Sequence, residues 1–306
     1  MSGYFAAMSS ADVLAELAET DPNVILVSQD FGAIGSFSAR FPERHFDLGI
    51  TEQNLVGVAA GLAHAGKLPF VLAMAPFVSM RSFEQIRDDC GYNRNNVKIL
   101  APFAGLEAGA WGATHHAMED IALLRTIPGM TILSPADPNE AHRCVRAAAA
   151  IDGPVYIRLG FLSGLDGYDV ALRVGEAVTM RDGKDVTVIA TGGCVGSALT
   201  AHDVLKVRGI SARVLNMHTL KPLDRAAVER AARETGRIVT VEEHSIIGGL
   251  GGAVAEVLAE LGKGRLARVG VRDVFCTEVE PYPELLRIHG IDAAGIESAV
   301  RTLIAD

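Results

Sequence analysis

The chain is short of the features that would direct it to nucleic acid, to a bilayer or to an oxidising compartment. Only 28 of its 306 residues are Lys or Arg, against 37 Asp or Glu, and the basic residues form no dense run. With a formal charge of -9, the surface is not expected to attract nucleic acid or an anionic membrane. No apolar stretch reaches the ~20 residues that a membrane helix requires. No basic segment followed by an apolar core opens the chain, so no secretory leader is expected. Cysteine is scarce: Cys90, Cys144, Cys194 and Cys276 are scattered and form no C-x-x-C pair. That spacing speaks against a metal site and for reduced, buried thiols in the cytoplasm. What the chain does have is apolar content, 49%, ample for packed cores in two domains or one large one.

The apolar residues fall into an alternation of short strands and helices, the pattern of an α/β fold with parallel sheets covered on both faces. Val24–Val27, Pro69–Ala73, Val97–Leu100, Met130–Leu133 and Val155–Ile157 read as strands. A helix led by Ser9 or Ser10 precedes the first of them. Further helices are expected from Glu52 to Ala65, over Arg81–Tyr92, from Met118 to Thr126 and from Asp137 to Ala150. Residues 160–185, rich in Gly and Asp, break the rhythm and read as a linker. A second alternating unit begins at Val186. The expected organisation is therefore a domain over 1–160, a linker over 161–185 and a smaller α/β domain over 186–306.

One turn stands out. Asp47-Leu48-Gly49-Ile50-Thr51-Glu52-Gln53-Asn54 delivers a single carboxylate to the start of an apolar helix. There it is favoured by the helix dipole yet partly withdrawn from water. That suits a group exchanging a proton with a buried partner better than a solvated surface charge. Two later segments belong with it. Met74-Ala75-Pro76-Phe77-Val78-Ser79-Met80-Arg81 follows a strand end, where ligands of open α/β sheets gather. Gly112-Ala113-Thr114-His115-His116 places two adjacent imidazoles in a loop, and neighbours of that kind do not share a metal on one helix face.

These three segments resemble those of transketolase-like thiamine diphosphate enzymes, and the likeness extends over nearly the whole chain. The resemblance implies a pyrimidine-binding domain followed by the transketolase C-terminal domain. It implies that Glu52 meets the cofactor's aminopyrimidine, that Phe77 stacks on it, and that Met74 and Met80 wall the same pocket. His115 matches a histidine that holds the donor's carbonyl oxygen and shuttles protons. Arg158 matches an arginine holding the sugar's terminal anion. Two positions depart from the pattern: Trp111 stands where an aspartate meets a donor hydroxyl, and Phe103 where a histidine contacts phosphate. Both are expected at the substrate. Gly248-Gly249-Leu250-Gly251-Gly252 lacks the G-x-G-x-x-G spacing and is read, like Glu242-Glu243-His244, as structural.

The Gly-Asp-Gly motif that binds the metal and diphosphate in these enzymes is missing. The resemblance therefore implies the C-terminal subunit of a split enzyme, transferring a two-carbon ketol unit between small-molecule sugars. The partner is an N-terminal subunit carrying the diphosphate-binding domain and most of the Mg²⁺ ligation, in an α2β2 heterotetramer. Two alternatives stay open: the beta subunit of a 2-oxo-acid dehydrogenase, and a non-catalytic scaffold of the same fold.

Overall fold

The computed structural model describes residues 2–305. Its strands are β1 (Val24–Ser28), β2 (His45–Asp47), β3 (Leu68–Leu72), β4 (Lys98–Pro102), β5 (Thr131–Leu133), β6 (Val155–Leu159), β7 (Val178–Arg181), β8 (Val186–Ala190), β9 (Ala212–Asn216), β10 (Thr219–Lys221), β11 (Arg237–Ser245) and β12 (Arg265–Val271). The helices are α1 (Ser2–Thr20), α2 (Gly35–Arg40), α3 (Glu52–His64), α4 (Ala75–Arg81), α5 (Phe83–Gln85), α6 (Asp120–Arg125), α7 (Pro138–Ala150), α8 (Cys194–Val207), α9 (Arg225–Glu234), α10 (Leu250–Leu261), α11 (Tyr282–Ile288) and α12 (Ala293–Ala305).

A seven-stranded sheet has the order β10-β5-β6-β4-β3-β1-β2, and a five-stranded sheet the order β12-β11-β8-β9-β7. Among the described strand pairs, only β10 beside β5 and β7 beside β9 run antiparallel. Central strands such as β1, β3, β4, β6 and β8 are buried along their whole length, which is why they read as unbroken apolar runs. Their side chains still alternate. Val24 and Leu26 join a core with α1 and α7, whereas Ile25 and Val27 join the opposite core with α3. Asp137 and Asp224 cap α7 and α9, accepting the N–H of Glu140 at 2.7 Å and of Ala227 at 2.8 Å, as short acidic side chains do at helix starts.

The structure departs from the sequence reading in four places. Ser10 is buried inside α1 instead of capping it. The single helix expected over 81–92 is divided into α4, α5 and a π-helical turn, Ile86–Tyr92. Strand β7 lies within the stretch read as linker. Strand β10, from the second half of the chain, closes the edge of the first sheet. A shared core reinforces that join: Leu55 and Ile121 belong to the same cluster as Val228, Leu250 and Val254.

Candidate active site

In a parallel sheet adjacent strands end at one edge, and that edge is where open α/β sheets bind ligands. Here β1 runs into Gln29–Phe31, β3 into Met74 and α4, and β4 into the loop that carries His115. With Ile50, these segments line a cleft of about 450 Å³. A larger hollow of about 660 Å³ lies beside the π-helical turn, among Arg87, Tyr92 and Pro128, away from every residue singled out in the sequence.

Asp47 ties the segment after β1 to the turn that carries Ile50. Its carboxylate accepts the N–H groups of Asp30, Gly32 and Gly49 at 2.9, 3.0 and 3.0 Å. Gly49 has φ +68°, a backbone state that glycine adopts without strain. The turn leads into α3, whose first residue is Glu52, only 4% exposed. Its partner is Arg81, whose Nη1 donates to both carboxylate oxygens, at 3.1 and 3.2 Å. Arg81 sits four residues after Phe77 on α4, so the two share a face. The guanidinium carbon lies 4.2 Å from the centre of the Phe77 ring, a cation–π contact.

From Phe77 a chain of ring contacts continues. His115 meets Phe77 edge-on at 5.2 Å, and Trp111 meets His115 edge-on at 5.4 Å. Phe103 stacks on Trp111 at 5.1 Å. His115 shares a hydrogen bond with Thr114 between Nδ1 and Oγ1 at 3.0 Å, which leaves Nε2 for a ligand. Phe103 is held at φ +61°, unusual for a bulky side chain, and its N–H donates to the buried Glu107 carboxylate at 3.1 Å. Trp111 nevertheless stays 55% exposed.

The structure thus gathers Met74, Phe77 and His115 at one cleft, with Trp111 and Phe103 behind them; Glu52 does not line the cleft itself but lies buried behind Arg81, which does. Met80 is exposed and does not line it. Arg158 is a correction. It is 4% exposed, its Nε donates to Asp120 at 2.8 Å, and its Nη2 donates to the carbonyls of Ala117 and Glu243 at 3.1 and 2.8 Å. A guanidinium committed to a buried carboxylate and two carbonyls is a brace between β6, α6 and β11, not the holder of a substrate anion. His116 also points inward, donating from Nε2 to Gly109 O at 3.1 Å, and burial lowers its pKa.

The glycine run near residue 250 has its own anion. The Glu242 carboxylate accepts the N–H groups of Leu250 and Gly251 at 2.6 and 2.7 Å at the start of α10, filling the place a phosphate would take. Burial still pushes this carboxyl up to about 7. Two residues at the cleft escaped the sequence reading. Gln29 is buried there, and its Oε1 has no hydrogen-bond partner among the described residues. Arg81 is the other. The available signals were position alone: Gln29 directly follows a buried strand, and Arg81 is one helical turn from Phe77.

Among the described residues no helix is long and apolar enough to cross a membrane, and all four cysteines are free and buried. Residues 6–160 match the family profile of the transketolase pyrimidine binding domain, and residues 175–296 that of the transketolase C-terminal domain. The chain is 42% identical to one of the subunits of the apulose-4-phosphate transketolase of Phocaeicola vulgatus, covering 94% of each chain. It is 43% identical to a 6-deoxy-6-sulfo-D-fructose transketolase subunit of a Clostridium species, over 86% of this chain and 84% of that one. A solved split-gene transketolase, an inactive beta4 tetramer, superposes with a TM-score of 0.90 at 41% identity over 98% of both chains. The chain therefore belongs to the transketolase family, as a transferase subunit comprising the pyrimidine-binding and C-terminal domains.

Proposed function

We propose that this chain supplies the aminopyrimidine half of a thiamine diphosphate site and works with an N-terminal subunit that binds the diphosphate and Mg²⁺. The observation that carries this reading is the buried Glu52 carboxylate, joined through Arg81 to the Phe77 ring, behind a cleft lined by Phe77, Arg81 and His115. The cleft's chemistry fits a flat heteroaromatic ring bearing N–H donors. Phe77 offers a face for stacking, Glu52 an acceptor, and Gln29 Oε1 a second buried acceptor with no partner of its own among the described residues.

Bound thiamine diphosphate would supply a nucleophilic carbon that attacks carbonyl groups. Glu52 would hold a proton at a nitrogen of the cofactor's ring, in a pocket where water is largely displaced. Phe77 and Met74 would fix the plane of that ring. His115, oriented by Thr114 and wedged between Phe77 and Trp111, would hydrogen-bond the substrate's carbonyl oxygen through Nε2 and pass protons during addition and cleavage. Trp111, stacked on Phe103, would face the carbon chain of the sugar. We infer transfer of a two-carbon ketol unit from a ketose to an aldehyde, in an α2β2 assembly in the cytoplasm. Any anionic group on the sugar would be met by residues other than Arg158.

The test is reconstitution. Thiamine diphosphate should bind the mixed subunits and neither alone, and ketose cleavage should exceed pyruvate decarboxylation. Glu52→Ala should abolish turnover while assembly persists. Near-normal turnover would remove Glu52 from the mechanism, and no cofactor binding by the mixture would overturn the reading.

A further inference from the structure

We propose that Arg81 is an internal stand-in for the cofactor's ring, occupying the Phe77 face and the Glu52 carboxylate in the free chain and leaving when the ring arrives. The inference rests on the preceding reading of the cleft and concerns how that cleft is kept before it is filled.

A guanidinium shares three properties with an aminopyrimidine: it is flat, it carries N–H donors, and it stacks on an aromatic face. Arg81 uses all three. Its Nη1 donates to both oxygens of Glu52, 3.1 and 3.2 Å away, so neither oxygen stays open to a second donor from the same side. Its guanidinium carbon lies 4.2 Å from the Phe77 centroid. A ring stacked on Phe77 and bonded to Glu52 needs those same two surfaces, so ring and guanidinium exclude each other.

The free chain needs some such occupant. Glu52 is 4% exposed, and a carboxylate that far from water is costly without a donor. Arg81 is also suited to leave. It is 51% exposed, and its contacts are with Glu52 and Phe77. Once released, its long side chain reaches solvent from the cleft wall. Nor can it replace the ring in catalysis, because a guanidinium offers donors and no acceptor. The pair therefore preserves the geometry of Glu52 and Phe77 while opposing cofactor entry, so that apparent affinity reflects only the fraction of chains with Arg81 displaced.

The experiment is isothermal titration of thiamine diphosphate and Mg²⁺ into the reconstituted enzyme, wild type against Arg81→Met, after thermal scans have shown both folded. Methionine keeps the unbranched stem of the side chain, though not its full length, and removes its charge and donors. A partly exposed ion pair and a cation–π contact are each worth a few-fold, so the dissociation constant should fall roughly tenfold in the variant. The gap should narrow as salt is raised, because screening weakens the competing pair. Arg81→Gln serves the same purpose should the methionine variant fail to fold. An unchanged or weaker affinity in a folded variant would overturn the inference while leaving the cofactor reading intact. If neither wild type nor variant binds the cofactor with the partner present, both fall.

Discussion

Replacing Arg158 by methionine should cost stability and leave the substrate alone. Asp120 is 0% exposed, and its Oδ2 accepts from Arg158 Nε and the Tyr156 hydroxyl, each at 2.8 Å. Its Oδ1 makes no hydrogen bond among the described residues. Without Arg158 the carboxylate keeps one neutral donor, and the carbonyls of Ala117 and Glu243 lose a charged one. Stranding one member of a buried ion pair costs about 3–5 kcal/mol, which in a chain of this size lowers the melting temperature by the order of 10 °C. Differential scanning calorimetry of the isolated chain reads this directly. Adding Asp120→Asn to Arg158→Met removes the stranded charge, so the double variant should melt above the single one, a non-additivity expected of direct partners. Below its melting point the Arg158→Met enzyme should retain its KM for phosphorylated and unphosphorylated ketoses alike. A variant that melts like wild type but loses affinity only for the phosphorylated ketose would refute the reasoning and return Arg158 to the substrate.

Three further outcomes follow from other parts of the fold. Gly249→Ala drives a methyl into the Glu242 carboxylate and to 2.6 Å from His244 Nδ1, an overpacking that should cost about 1–3 kcal/mol; an unchanged melting curve would show the junction to be looser than described. Burial lowers the His244 pKa from 6.5 to about 4, so between those values the unfolded chain binds the extra proton and stability falls as pH drops, by about 3 kcal/mol across the window. The Glu242 shift acts in the opposite sense as pH drops from about 7 to 4.5, so the comparison needed is wild type against His244→Gln, whose stability should fall less steeply between pH 6.5 and 4. Trp111→Ala should raise KM for the ketose roughly three- to tenfold, the worth of one aromatic contact, with little change in melting temperature; an unchanged KM would place the indole away from the substrate.

The parts of the fold legible in the sequence are those fixed by neighbours a few residues away. Buried parallel strands announce themselves because both faces are apolar, and Asp137 and Asp224 mark helix starts because a cap acts on N–H groups three residues on. Edge strands do not. In β7 burial alternates between half-buried and exposed, and β10 is three residues long, so neither forms an apolar run. The Glu52 turn was legible for the same local reason as the caps. The role of Arg158 was not, since its partners lie 38, 41 and 85 residues away along the chain. An isolated arginine at a strand end looks alike whether it faces a ligand or a buried aspartate. Arg81 was hidden similarly, its carboxylate being 29 residues distant.

The charge distribution at the cleft accords with the proposed division of the site between two polypeptides. Arg81 is the one Lys or Arg among the described residues that line it, and its donors already face Glu52. Asp30 adds an anion to the same wall, and the nearest arginine considered for an anionic ligand, Arg158, is turned inward. A surface of this kind can fix the plane of a ring and a proton's position, which need stacking and a buried acceptor. It is poorly suited to a diphosphate, which needs several donors or a metal to offset its charge. Stacking and proton exchange depend on short-range geometry set by one sheet edge, whereas anion binding needs only that positive charge be brought near. On the proposed reading the two tasks can therefore lie on different chains, provided the chain proposed to hold the ring keeps its buried carboxylate satisfied until the other arrives.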